Sequence, residues 1–258
     1  MKILKVTNPT DSKSFTFYDN SNGVILREFE GFEYAEVRNV IEDISGEQSA
    51  IYITSKFGRR RISWQGDLVS DSVFTLRRTM LAALRQTAEL KLIEFTTYDD
   101  LELRCEAEIV KVLNPYNHKV HTFLIEAVCP DWRFYSQAEH ENNSDEATQI
   151  INNAGNEATD PTFRIYGPLT SVTINNLMTS ESFTIELDEY SGLSEGEYID
   201  VNVKEKTVKL DDDTSIYSDF DGEFFSLIPG NNTLQFSTVG GNGNTSLKTT
   251  WRDAYNGI

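Results

Sequence analysis

The sequence predicts a mainly β protein of two domains, an N-terminal α+β domain over residues 1–135 and an all-β sandwich over 148–258. Three observations carry this. Apolar residues alternate with period two in short runs along most of the chain, only Ser72–Gln86 has a sustained helical period, and a polar, acidic stretch over 136–147 interrupts the pattern. That stretch, QAEHENNSDEA and its neighbour, holds no aliphatic side chain larger than alanine and reads as a linker.

In the first domain, Lys2–Val6 and Ser14–Tyr18 read as strands split by the turn residues Asn8-Pro9-Thr10-Asp11. Asn22-Gly23 marks the next turn, followed by Phe29, Phe32 and Tyr34, and Ala50–Phe57 alternates as a strand before Gly58. The helix over Ser72–Gln86 has Asp71 or Ser72 as its expected cap. Leu76, Met80, Ala83, Leu84 and Thr87 make one apolar stripe, with Arg77, Arg78 and Arg85 largely off it. Leu90–Thr97, Leu101–Val112 and Val120–Val128 follow as antiparallel strands joined by turns at Tyr98-Asp99-Asp100 and over 114–119. Strands with one packed helix make this half β-sandwich-like or barrel-like. It ends at the aromatic segment Pro130–Tyr135.

From Thr148 onward, short apolar alternations recur every ~8–12 residues between turn residues, the signature of a sandwich. The expected strands are Phe163–Tyr166, Val172–Asn175, Ser182–Leu187, Tyr198–Val203, Thr207–Leu210, Phe224–Leu227, Thr233–Ser237 and Ser246–Trp251, with a hairpin apex at Lys204-Glu205-Lys206.

Composition bounds the function. With 258 residues, 39% hydrophobic and 25% charged, the chain is expected to be globular, and it has no apolar run of the ~18 residues that a spanning helix needs. The N-terminus lacks an apolar core of signal-peptide length, so export is not expected. A net charge of −18 argues against a phosphate-binding surface. The charge is uneven: 17 Lys+Arg against 21 Asp+Glu over 1–140, and 6 against 20 over 141–258.

No constellation carries catalysis. Cys105 and Cys129 lie in strand segments; a strand pair folded about the turn near Pro115 brings them close enough for a disulfide, whereas a cytosolic origin favours buried, reduced thiols, the reading adopted. His118, His121 and His140 have no third ligand at fixed spacing, so no metal and no cofactor are expected. Asp188, Glu189, Asp211, Asp212, Asp213, Asp219, Asp221 and Glu223 offer the residue type that a glycosidase or a calcium site needs, but acidic runs are ordinarily solvated faces. Gly240–Asn244 precedes a strand and offers no helix terminus to a phosphate.

Two features remain as surface candidates. Arg59, Arg60 and Arg61 are the only dense basic cluster: a strand end turned to solvent or to local carboxylates, or a strip that pairs with acidic groups of a neighbouring subunit. Trp251 and Tyr255 are candidates for stacking on a glycan, against the plainer reading of Trp251 in the core and Tyr255 in a frayed tail.

The segment Asn153–Pro168 (NAGNEATDPTFRIYGP) resembles a strand-opening pattern of the distal tail protein family of long-tailed, siphovirus-type bacteriophages. Tyr198-Ile199-Asp200-Val201 with Thr207–Leu210 is similar to that family's hairpin, and Phe225–Leu234 (FSLIPGNNTL) to its F-x-L-x-P-G-x-N pattern. Upstream, Arg61–Gln86 with WQGD and RRTMLAAL looks like its strand-then-helix, and Pro130–Tyr135 like its aromatic strand end. The matches run in order over nearly the whole chain. The resemblance implies a structural, non-enzymatic hub of the virion tail tip, assembled in the host cytoplasm. Its N-terminal domains form a homo-hexameric ring, in places stacked in pairs, on the tail tube protein, with a channel left for DNA. Its C-terminal domain is a galectin-like β-sandwich, and the ring is a platform for the tail-tip protein and receptor-binding proteins. Larger relatives carry carbohydrate-binding insertions for which 258 residues leave no room; the alternative reading is a carbohydrate-binding module for host cell-wall recognition.

Overall fold

The structure, a computed structural model, describes residues 1–18, 23–43, 50–114, 121–187 and 192–258. Residues 1–137 with 255–258 form one compact unit, and 138–254 form another. Both are built almost entirely of antiparallel strands.

In the first unit the strands are β1 (Ile3–Asn8), β2 (Lys13–Tyr18), β3 (Val24–Glu30), β4 (Val37–Asp43), β5 (Ala50–Phe57), β6 (Arg60–Leu68), β7 (Lys91–Thr96), β8 (Glu102–Leu113), β9 (His121–Cys129) and β10 (Phe134–Ser136), with helix α1 (Val73–Ala83) between β6 and β7. The sheet runs β2-β1-β7-β8-β9-β6-β3, β10 pairs with β8, and β4 and β5 form a separate hairpin. Strict alternation fixes the register. In β9, His121, Phe123, Ile125, Ala127 and Cys129 are buried while the intervening residues are not, so a slip of one residue would turn that whole set to solvent. The core is aromatic: Phe17 packs edge-on against Trp64 at 5.9 Å, and Phe32, Phe95 and Phe134 lie within 5.0–5.8 Å of one another. Such pairs each add about 0.5–1.5 kcal/mol beyond area burial.

Helix α1 packs on β2, β1 and β6 through Val73, Met80 and Ala83. It is shorter than the apolar period suggested, and Ser72 caps it with its main-chain carbonyl only, receiving Leu76 N–H at 3.1 Å. Ser72 sits at φ −105°, ψ 31°, away from the extended geometry that aims a capping hydroxyl at the first amides. Thr87 lies beyond the helix because its hydroxyl bonds Glu89 O (3.2 Å) and receives the buried Lys91 ammonium.

The second unit is a sandwich. Its strands are β11 (His140–Ser144), β12 (Thr148–Asn153), β13 (Thr162–Tyr166), β14 (Ser171–Asn176), β15 (Glu181–Glu186), β16 (Tyr198–Asn202), β17 (Thr207–Leu210), β18 (Phe220–Gly222), β19 (Gly230–Val239) and β20 (Ser246–Trp251). They form two five-stranded sheets, β11-β20-β13-β16-β17 and β12-β19-β14-β15-β18. One core takes side chains from both, with Phe163, Ile165, Ile199, Val201 and Leu247 from the first and Ile151, Ile174, Phe183, Ile185 and Leu234 from the second.

Three expectations are corrected. The stretch read as a linker contains β11, paired with β20 from His140↔Trp251 to Ser144↔Leu247; an edge strand with half-exposed polar side chains has no apolar signature to reveal it. Phe224–Leu227 is not a strand apart from a bridge at Leu227, and β18 takes the place beside β15. The last residues, 255–258, belong to the first unit.

Candidate interaction surfaces

The three arginines have different fates. Arg60 opens β6 with an inward side chain that is only 2% exposed. Its Nε donates to Trp132 O at 2.7 Å, and Nη1 donates to Gly31 O at 2.9 Å and Glu33 O at 2.5 Å. Nη2 donates to Asn256 O, and the guanidinium lies 4.2 Å from the centre of the Phe134 ring. Gly31 can supply its carbonyl because φ is +80° and Arg61 O lies where a Cβ would stand, 1.9 Å away. Burial presses the Arg60 pKa down, opposed by the neighbouring Cys129 and Cys105 sulfurs and by Glu33. Arg60 is therefore an internal clamp, and its assignment to a subunit interface is corrected: a buried guanidinium whose five N–H groups go to four carbonyls and, at 3.4 Å, to Asn256 Oδ1 has no donor left to offer a neighbour.

Arg59 and Arg61 remain outside. Both line a groove of about 590 Å³ on the outer face of the β3-β6-β9 sheet, with Glu28, Glu30 and Glu126 among its other walls and Leu124 and Val128 on its floor. Gln65 Nε2 donates to Glu28, and Ser63 Oγ donates to Glu30 at 3.4 Å. Among the described residues neither Arg59 nor Arg61 makes an ion pair. Among the described residues the groove thus presents two guanidinium groups without an ion pair, Glu28 and Glu30 held by neutral partners, Glu126 paired with Lys111 at 2.5 Å, and a patch of aliphatic carbon, the mixture found where proteins meet.

The proposed glycan pair divides. Trp251 packs partly on the sandwich core; its Nε1 donates to Asn152 O at 3.1 Å, and the His140 ring stacks on it at 5.5 Å and 29°. His140 Nε2 lies 3.1 Å from Asp253 Oδ2, whose Oδ1 accepts Ala154 N–H at 2.9 Å. Tyr255 belongs to the other unit and packs partly on its core, so its stretch is not a frayed tail: Asn256 is buried, its Oδ1 accepts Ala35 N–H at 3.0 Å, and Ile258 N–H donates to Phe32 O at 3.1 Å.

Of the acidic candidates, Asp211, Asp212 and Asp213 follow β17 in a turn, Asp219 ends a 3-10 turn and Asp221 lies in β18. Asp212 Oδ1 accepts Thr214 N–H at 2.9 Å, and Asp213 pairs with Lys209 at 3.5 Å. Among the described residues no three His, Cys, Asp or Glu side chains gather as metal ligands. His118, Asp188 and Glu189 lie outside the described residues. His121 is buried, its ring edge-on to Phe74 at 5.2 Å.

Sequence reasoning found the motif segments but missed what their asparagines do. Asn153 is fully buried; its Nδ2 donates to Glu157 O (2.7 Å) and Leu227 O (3.1 Å), while Oδ1 accepts from Gly155 N (3.1 Å) and Ala254 N (3.4 Å). Asn232 is its counterpart in PGNN, with Nδ2 on Ile228 O (2.8 Å) and Oδ1 accepting from Ile228 N (3.0 Å) and Asn176 Nδ2 (3.1 Å). Each amide uses both donor and acceptor ends to hold loops that make no continuous ladder. The outer face of the β12-β19-β14-β15 sheet is also uncharged over Asn152, Asn231, Gln235, Asn175, Thr173 and Thr184, despite the acidity of this half. Alternation of amide and hydroxyl residues along these strands was the signal.

Residues 154–255 match the model of the siphovirus-type tail component, C-terminal domain. A search of curated proteins finds no match. Among solved structures, the chain is similar to the crystal structure of the SPP1 Dit protein, described as a paradigm of the hub adsorption apparatus in phages that infect Gram-positive bacteria. The TM-score is 0.71 at 15% identity, covering 98% of this chain and 99% of that one. It is also similar to a chain of the phage P2 baseplate in its activated conformation with Ca (TM-score 0.52, 9% identity) and to one of the phage p2 baseplate with Sr (0.51, 10%), each covering 96% of this chain and 97% of the other. The chain thus matches the siphovirus-type tail component model over residues 154–255, and it has the fold of the SPP1 hub protein along nearly its full length.

Proposed function

We propose that this chain is the distal tail hub of a long-tailed bacteriophage: six copies close into a ring that joins the tail tube to the tail-tip and host-adsorption proteins and leaves a channel for DNA. The observation that carries the reading is the coincidence of the family match in the second unit with a fold shared with the SPP1 hub protein over 98% of the chain. Both units have closed cores, and the chemistry offered to the outside is that of surfaces. A ring needs two different patches on each copy that meet by rotation. Arg59 and Arg61, without an ion pair among the described residues and flanked by Leu124 and Val128, supply one such patch. A net charge of −18 suits a conduit to which nucleic acid does not adhere.

The test is symmetry. Negative-stain class averages of the purified chain, alone and mixed with its tail tube protein, are expected to show six-fold rings, with a matching mass by light scattering. A monomer under both conditions at micromolar concentration overturns the reading.

A further inference from the structure

Cys129 closes β9 opposite Arg60, and Cys105 lies on β8 opposite Ile93 of β7. Both thiols are buried and free, and their sulfurs are 3.6 Å apart, Cys129 Sγ donating to Cys105 Sγ. A disulfide holds its sulfurs about 2.05 Å apart, so closure asks for a movement of roughly 1.5 Å. Each strand keeps its ladder on the far side, β8 with β7 and β9 with β6, but the two are not laddered to each other at this level. The β8–β9 pairing runs out at Glu108↔Val128, and β8 then takes β10 as its neighbour at Tyr135↔Arg104. The pair therefore sits at a seam, where a strand end can shift without breaking ladder bonds on both sides.

We propose that Cys105 and Cys129 are an oxidisable pair that closes into an intramolecular disulfide when the folded protein meets a peroxide. The chemistry balances with one equivalent of hydrogen peroxide. The thiolate of one cysteine attacks a peroxide oxygen and breaks the O–O bond, giving a sulfenic acid and hydroxide, which takes up the released proton as water. The second sulfur attacks the sulfenic sulfur, the S–O bond breaks, and a second water leaves with the remaining thiol proton. Two sulfurs are oxidised by two electrons in total, and the peroxide is reduced. The Arg60 guanidinium favours the anion of Cys105, the form that begins the sequence. The Cys129 sulfur and burial hold the Cys105 thiol well above its usual range, so the reaction is slow and waits on opening of the seam. Closure links residues 24 apart in sequence, restricts the unfolded chain and stabilises the first unit. That this happens in a particle that has left a reducing cytosol rests on the proposed function; the thiol chemistry does not.

The experiment uses the full chain, reduced, then treated with hydrogen peroxide while folded, acid-quenched, denatured and exposed to an alkylating reagent. The expected product carries no alkyl group, has an intact mass lower by two hydrogens and melts several degrees higher; a phosphine reductant restores two alkylation sites. Peptide mapping locates the bond between 105 and 129, and Cys129→Ala loses the oxidised product and the gain in melting temperature. Recovery of two alkylated cysteines, oxygen added to either sulfur without a crosslink, or disulfide-linked dimers overturns the proposal. Because the readout is on single chains, either result leaves the ring proposal standing or falling on its own test.

Discussion

The guanidinium of Arg60, at the first position of β6, donates to the main-chain oxygen of Asn256, 196 residues further along the chain. The same group also holds Gly31, Glu33 and Trp132 through their carbonyls, so one side chain ties three separate segments of the first unit to β6. Lysine can bring the charge but not the planar fork that reaches four acceptors. Arg60→Lys is expected to cost about 2–4 kcal/mol of stability, because buried carbonyls lose their donors. Deleting residues 256–258 is expected to act in the same direction. Urea denaturation followed by tryptophan fluorescence measures both; an unchanged midpoint for Arg60→Lys would falsify the clamp.

Asp131 predicts an acid-side loss of stability. Burial alone raises its carboxyl, but the charge of Arg133, with bonds from Arg133 N–H (3.1 Å), Arg133 Nε (3.2 Å) and Tyr135 Oη (2.7 Å), outweighs burial and lowers it from 3.8 to about 2. A depressed carboxyl stabilises the fold above its unfolded value, and that contribution disappears as pH falls from about 4 through 2. The shift corresponds to roughly 2 kcal/mol at neutral pH. Asp131→Asn is expected to be less stable than the parent by about that amount at pH 7, with the difference closing toward pH 2. Paired denaturation curves across this range check it, and a difference independent of pH rules it out.

Much of the fold was legible because alternation and burial coincide. The strand expected at Ser246–Trp251 is β20 without adjustment, and the turn expected at Lys204-Glu205-Lys206 joins β16 to β17 with Lys206 at φ 54°. What was not legible follows a common cause. Strand β11 is polar on both faces at a sheet edge, so period-two apolarity is absent although its backbone bonds are made. Arg60 hides among three arginines of identical type; sequence shows the basic cluster, and only the register of β6, which buries Arg60, Ile62 and Trp64 together, separates the clamp from its exposed neighbours. Asn153 and Asn232 stand in the motif segments, but their remote partners, Leu227 and Ala254 for the first and Asn176 for the second, are not connected to them by spacing.

The motif segment NAGNEATDP makes a packing prediction. Gly155 stands against the backbone of Ala254, where an added Cβ would lie 1.9 Å from Ala254 O. Gly155→Ala must push that backbone away, and with it the bond from Ala254 N–H to the Asn153 amide. Asn153→Ala leaves two buried carbonyls and two N–H groups without the side chain that joins them. Each is expected to lower the stability of the second unit by about 2–4 kcal/mol, and the double variant to fall short of the sum because the two share a partner. A double-mutant cycle by chemical denaturation reads the shortfall; strict additivity would mean that the residues do not act as one network.

Arg59 and Arg61 make the prediction that separates folding from assembly. Among the described residues neither makes an ion pair, so their replacement removes none of those pairs, and the stability of the isolated chain is expected to change by no more than about 0.5 kcal/mol. In a ring, two guanidinium groups pressed against a neighbour's carboxylates become partly desolvated, and reversing their sign places like charges across the joint, which costs several kcal/mol per contact. Arg59→Glu with Arg61→Glu is therefore expected to convert six-fold rings into monomers or short arcs while the melting temperature stays within a degree or two of the parent. Raised salt should weaken parental rings for the same reason. Light scattering at several protein concentrations, with a thermal melt on the same samples, gives both readings. Intact rings from the doubly reversed chain move the subunit contact away from this groove, and a collapse of the melt would show that the two arginines hold the fold itself.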